Sequence, residues 1–279
     1  MLPPSPGLRL FVRCYAQRTV SASELSVEAR VEAIPARLEQ TLEFQLGKCF
    51  DVAIPGKAPI SAPQVVIVGA YLGRCAHIRL VPGVHSFAVF FLPTGLSRLL
   101  RIPVSEFTGR NFDATLILTS LRELRTRLGE SVSFAQRVRL VEDVLLRLAA
   151  RNARKTSILE VAEFAFASRG AVSIDKLAKM TGLGLRQFER RFCDGLGTTP
   201  KLFTRVARFQ SAVDAKISTP HRSWLEIAHE LEYHDQMHMI HDFKEFTGHS
   251  PVQLLPQIGD GRPSALMSDE IAENSRLWY

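Results

Sequence analysis

The sequence predicts an α+β chain of more than one domain. A β-rich amino-terminal domain ends in helices, and an all-α carboxy-terminal domain carries two helix-turn-helix motifs. Three observations carry this. Short apolar runs, each closed by Gly or Pro, fill residues 28–118. From residue 119 the apolar positions recur three or four apart, the period of a helix. Between residues 177 and 251 one pattern occurs twice. An offset of 51 residues places Phe192 on Phe243, Gly197 on Gly248 and Pro200 on Pro251, and an offset of 50 places Ala178 on Ala228.

The bulk properties set limits. At 279 residues the chain is long enough for about two domains. The balance of 35 Lys+Arg against 28 Asp+Glu permits nucleic-acid binding without demanding it. The four cysteines form no CxxC pair, which fits reduced thiols in the cytoplasm. Arg9, Arg13 and Arg18 interrupt any signal-like apolar core at the amino terminus. No run of 18 apolar residues is present, so no membrane partner is expected and the localisation reads as cytoplasmic.

Taken in order, domain 1–151 opens with the runs 42–47, 50–56, 64–73, 76–83 and 86–93, read as strands. Their spacing suggests a sandwich or small barrel of cupin-like or jelly-roll-like form. Leu121, Leu124 and Leu128, then Val138, Val141, Leu145 and Leu148, define two amphipathic helices. Residues 152–156 read as a linker, 157–257 as the helical domain and 258–279 as a flexible tail.

Within the helical domain, Ser173 is a fitting N-cap for a helix over 174–180, broken at Thr181-Gly182. The next helix, 185–194, turns Phe188 and Phe192 inward and Arg186, Glu189 and Arg190 outward, with Arg191 to the side, facing a phosphate. An Arg fork suits guanine O6 and N7 because it donates two bonds at once. A long helix over 201–217 follows; its Lys201, Arg205 and Arg208 fit a solvated face or phosphate contacts equally well. Ser223 and Glu226 form a capping box for a helix over 224–231. Asp235 caps a last helix over 236–246, with Met239 and Phe243 inward and Gln236, Met237, Ile240 and His241 outward. The outline is one that fits the DNA major groove, twice.

These residues resemble the DNA-binding domain of the AraC/XylS family of transcription regulators, over roughly residues 157–257. The likeness lies in Leu177-Ala178, Gly182-Leu183, Arg186-x-Phe188-x-Arg190-x-Phe192 and Gly197-x-x-Pro200. It continues in Ile227-Ala228, Tyr233, Asp235-Gln236, His238, Phe243-Lys244 and Gly248-x-Ser250-Pro251. The resemblance implies base reading by Arg186, Glu189 and Arg190 in the first motif and by Gln236, Met237 and His241 in the second. His238 joins that set through the charge a histidine gains near pH 6. Double-stranded DNA is the implied partner, with RNA polymerase as a protein partner. The stretch 83–110, with FLPTG and Pro103-Val104-x-Glu106, resembles the family's sensor domain. That likeness implies an unidentified small-molecule effector or a homodimer.

The chain departs from the family pattern at four positions. Gly184 stands where Ser is usual, removing a hydroxyl cap, and Glu232 stands where Gly is usual, so it must avoid positive φ or bear its cost. Met239 and His241 replace Phe and Arg. Charge is uneven too: residues 170–222 carry ten Lys+Arg and four Asp+Glu, whereas 223–258 carry one and six. This leaves the second motif little attraction for phosphate.

His234, His238 and His241, at i, i+4 and i+7, permit a shared metal only if their ligand atoms converge. Residues 28–118 offer only His77 and His85, too few for a cupin-type metal centre. No cofactor and no catalytic residue is expected. Two alternatives compete with a regulator: an enzyme with an appended DNA-binding module, and a non-catalytic protein-interaction module that keeps the helix-turn-helix fold.

Overall fold

The computed structural model describes residues 1–21, 30–53, 58–73, 76–152 and 156–258. The described residues divide into two compact units. One comprises 1–34, 39–70 and 76–152; the other comprises 156–258 with 35–38 and 71–73.

The first unit begins with β1 (Val12–Thr19), β2 (Arg30–Ile34), β3 (Thr41–Gln45), β4 (Asp51–Ala53) and β5 (Ile60–Ser61). It continues with β6 (Val65–Val68), β7 (Ala76–Leu80), β8 (His85–Phe91), α1 (Gly95–Leu100) and β9 (Asn111–Asp113), and closes with α2 (Leu121–Glu130) and α3 (Phe134–Asn152). The strands form a five-stranded sheet, β1-β8-β3-β6-β9, and a four-stranded one, β2-β7-β4-β5; every pair is antiparallel. The five runs read from the sequence fall on β3, β4, β6, β7 and β8; their residues 54–56 lie outside the described residues.

Strand β1 was not legible in the sequence, because Arg13 and Arg18 interrupt its apolar residues. Arg13 pairs with the nearly buried Glu39, and Arg18 lies 3.2 Å from Glu32 of β2. The helix α1 also went unread. Its first residue must be Gly, since a Cβ there would stand 2.0 Å from the Phe11 carbonyl oxygen.

Alternation along the strands sends one face of the five-stranded sheet to the helices. Tyr15, Phe44, Ile67, Phe87, Val89 and Phe91 on that face meet Leu96, Leu99, Leu121, Leu124, Leu128 and Leu145 in one core. Fully burying each such side chain contributes about 1.5–3 kcal/mol. The other face of β3 carries Thr41, Glu43 and Gln45. Gln45 is fully buried, and among the described residues neither of its amide atoms has a hydrogen-bond partner.

The second unit contains α4 (Ser157–Ala167), α5 (Ile174–Thr181), α6 (Leu185–Leu196), α7 (Pro200–Ser218), α8 (Trp224–Glu230), α9 (Gln236–Thr247) and α10 (Pro251–Ile258). The tail expected over 258–279 lies, beyond Ile258, outside the described residues. Side-chain caps begin the helices as their sequences ask: Thr156, Ser173, Thr199 and Asp235 each accept a backbone N–H, and Ser223 and Glu226 form a complete capping box. Gly184 opens α6 with no side-chain cap. Gly182, Gly197 and Gly248 end α5, α6 and α9 in the left-handed conformation.

Helix α7 is the spine. Toward one end Phe203 meets Phe192 of α6 edge-on, with centroids 5.5 Å apart. Six residues on, Phe209 meets Phe243 of α9 at 4.9 Å and Phe246 at 5.4 Å. Each motif thus has its own aromatic joint to the same helix, from equivalent positions of the repeated pattern.

Candidate nucleic-acid interface

In the first motif, α5 and α6 are joined by the turn at Gly182 and held by buried Leu177, Ala178, Phe188, Phe192 and Leu196. With those residues inward, Arg186, Glu189, Arg190 and Arg191 are all exposed. Among the described residues none of the three arginines has an ion pair or hydrogen-bond partner, so each guanidinium keeps its full set of donors. Gln187 is also exposed on this helix, between Arg186 and Phe188. The sequence pattern did not single it out; its amide can serve adenine as the arginines serve guanine. Cys193 is half-buried. Burial first, then Asp194 and Glu189, raise its thiol pKa, which keeps it protonated and unreactive.

In the second motif, Ile227, Ala228, Met239, Phe243 and Phe246 are buried. Trp224 packs edge-on to Phe243 at 5.2 Å. Gln236, Met237 and His241 are exposed at the start of α9. His238 is half-buried: its ring stands edge-on to Tyr233 at 5.5 Å, and its backbone N–H donates to Asp235 at 2.7 Å. Ile240, expected outward, is half-buried because it borders the inward Met239. The His241 Nδ1 lies 3.8 Å from Glu245. Glu232 sits in the turn between α8 and α9 with φ of 54°, so it bears the cost of a conformation that glycine takes freely.

The acidic residues of this motif are engaged. Glu226 closes the capping box, and Asp235 caps α9. Glu230 accepts from Arg222 at 2.5 Å and Arg169 at 2.9 Å, and these partners, the Arg222 bond foremost, lower its pKa. Asp242, with no exposed side-chain surface, and Glu245 both receive Arg205 of α7 at 2.6 Å. The hydrogen bond from Arg205 lowers the Glu245 pKa. Burial alone would disfavour the charged guanidinium; the bonds to Glu245 and Asp242 outweigh that and raise its pKa. Composition therefore overstates how strongly this surface repels phosphate.

These contacts also separate the three cations of α7 that the sequence left open. Lys201 is exposed. Arg205 is held as described. Arg208 donates to the Gly170 carbonyl at 2.8 Å and lies 5.2 Å from the centre of the Tyr233 ring. Only Lys201 faces solvent as a phosphate-binding cation would.

His241, Asp242 and Glu245 bring ligand atoms within 4.8 Å of one another. Arg205 already places its positive charge on both carboxylates there. The trio His234, His238 and His241 does not converge: His234 bonds Asp235, His238 meets Tyr233 and His241 turns to Glu245.

Two helix-turn-helix motifs on one spine, each presenting the first turns of its second helix to solvent, define a tandem DNA-binding domain. Residues 177–257 match the family described as a helix-turn-helix domain. The match lies within the helical domain and, with the tandem motifs, supports a DNA-binding transcription regulator. Among solved structures, the chain is similar to ToxT from Vibrio cholerae. One ToxT structure gives a TM-score of 0.51 at 7% identity, covering 88% of this chain and 99% of that one. The apo form of a ToxT variant gives 0.52 at 8% identity, covering 91% and 98%. At such identity the likeness is one of fold: a β-rich amino-terminal domain followed by the helical one. No curated protein matches the sequence. No helix among the described residues is long and apolar enough to cross a membrane.

Proposed function

We propose that the first motif supplies most of the attraction to DNA and reads bases through Arg186, Glu189, Arg190 and the neighbouring Gln187, with Arg191 on a phosphate. The second motif reads bases mainly by neutral contacts, through Gln236, Met237 and His241, with His238 at the edge of the contact. The observation that carries this reading is the contrast in side-chain engagement. The arginines of α6 are exposed and without partners among the described residues, whereas five of the six acids of the second motif are tied up in caps and ion pairs. Phosphate contacts position a protein on the duplex, and base-edge contacts specify its sequence.

The test is selection from a random pool of duplex DNA with the purified full-length chain. The expected product is a site with two constrained blocks about one helical turn, roughly 10 base pairs, apart. Failure to enrich any sequence would refute the base-reading assignment.

We assign a sensing role to the β-rich domain on a separate observation. Gln45 is fully buried with both amide atoms unpartnered. Leaving such a group unsatisfied costs about 1–3 kcal/mol. A small polar effector that hydrogen-bonds this amide would remove that cost. Thermal-shift screening of small polar solutes against the wild-type chain and Gln45→Leu tests it: a stabilising solute should lose its effect in the variant. If every stabilising solute acts equally on both, Gln45 is no part of an effector site.

A further inference from the structure

We propose that Arg205 is a positioning residue that sets the orientation of α9 on α7, and with it the placement of the second base-reading helix on DNA; this rests on the DNA-reading role proposed above for α9. The sequence alone made Arg205 a candidate phosphate contact. The structure turns it inward instead. Its Nε and Nη2 both donate to Asp242 Oδ1, at 3.0 and 2.6 Å, and Nη2 and Nη1 reach the two Glu245 oxygens at 2.6 and 3.4 Å. The guanidinium also lies 5.2 Å from the centre of the Phe246 ring. One planar group thus grips three residues within two turns of α9.

This grip does what the aromatic joint cannot. Phe209 packs between Phe243 and Phe246, but hydrophobic attraction carries no preferred direction. A planar guanidinium bonds two carboxylates from fixed directions. Asp242 has no exposed side-chain surface, so the bonds to its Oδ1 cannot be exchanged for water at little cost. The first motif differs at the central position of this clasp. At the 51-residue offset Asp242 corresponds to Arg191, which is exposed, and α6 joins α7 through Phe192 and Phe203. The recognition helix held by this clasp is also the one with few cations to draw it onto the backbone.

The test uses the full-length chain and duplexes selected from a random pool by the wild type, each intact or with one block scrambled. The variants are the double substitution Arg205→Met with Asp242→Leu, and Arg205→Lys. The double variant should fold, because replacing a buried ion pair by apolar side chains of similar volume is commonly neutral or stabilising. Wild type should bind the intact duplex at least about tenfold more tightly than one with the second block scrambled, the scale of one good base contact. In the double variant that ratio should fall below about threefold, while affinity for the first block alone stays within about threefold of wild type. Arg205→Lys keeps the charge but loses the fork, so it should lose the same discrimination.

Three outcomes overturn the proposal. A variant that retains the wild-type ratio shows that the clasp does not place α9. A variant that loses affinity for the first block equally, with Arg205→Lys restoring it, shows a phosphate contact. A wild type indifferent to the second block shows that α9 reads nothing. A wild type that selects no sequence at all refutes the DNA-reading role itself.

Discussion

The two helix-turn-helix motifs share a pattern, a spine and an aromatic joint, yet they manage charge in opposite ways. The first leaves its cations free: Arg186, Arg190 and Arg191 are exposed on α6 without partners among the described residues. The second has one Lys and six acids, and it spends five of those acids on caps and ion pairs. A fold can thus be duplicated while its electrostatic work is divided. In the function proposed above, one copy supplies the long-range pull toward a polyanion, and the other needs only to avoid opposing it.

The largest expected effect tests whether the copies are alike in their cores. Phe192→Ala and Phe243→Ala each remove a fully buried ring that meets α7, and each should destabilise the helical domain by about 3–5 kcal/mol in urea denaturation followed by helical circular dichroism. If only one of them does so, the halves are not equivalent structural units. On the DNA side the halves should part. Arg186→Ala or Arg190→Ala should each weaken specific binding by about 1–3 kcal/mol with the fold intact, measured by titration of a selected duplex. Binding curves that match wild type would remove these residues from the interface.

Much of this was legible in the sequence, for physical reasons that are local. The Ser173 cap, the Ser223–Glu226 box and the αL glycines act within a few residues of themselves, so the helix ends could be read directly. The inward faces of α6 and α9 followed from apolar positions four apart. Strand β1 was hidden because its arginines are paired with distant carboxylates, Glu39 and Glu32, that no local pattern announces. The same limit hid Arg205. Its partners lie 37 and 40 residues away, and a helix face with three cations looks alike whether it meets phosphate or carboxylate.

Acid should separate the halves further. Glu230 and Glu245, whose ordinary value is 4.5, are held lower by hydrogen bonds from Arg222 and Arg205 respectively. Asp235, ordinarily 3.8, is held lower by the His238 backbone N–H. A carboxylate with a lowered folded pKa contributes stability above its ordinary value and loses it as pH falls through the lowered one. The second motif should therefore loosen first as pH drops below about 4.5. Trp224 fluorescence, in a Trp278→Phe background, reports on it directly, because Trp224 packs against Phe243. A first motif that loosens earlier, followed by amide exchange in α6, would reverse the comparison.

The smallest effect concerns the turn before α9. Glu232→Gly should stabilise the domain by about 1 kcal/mol, since a glycine bears no side-chain penalty at φ of 54°. A lower melting temperature in the variant would show that Glu232 makes a contact worth more than the strain.

The division of labour itself is tested most directly by the salt dependence of binding to a selected duplex at pH 8. Each phosphate contact contributes close to one unit to the slope of log K against log salt. Arg190→Ala with Arg191→Ala should flatten the slope by about one unit, through loss of the Arg191 phosphate contact. His238→Gln with His241→Gln should leave the slope unchanged. A slope that stays as steep without the α6 arginines, or that flattens on changing the α9 histidines, would contradict the account.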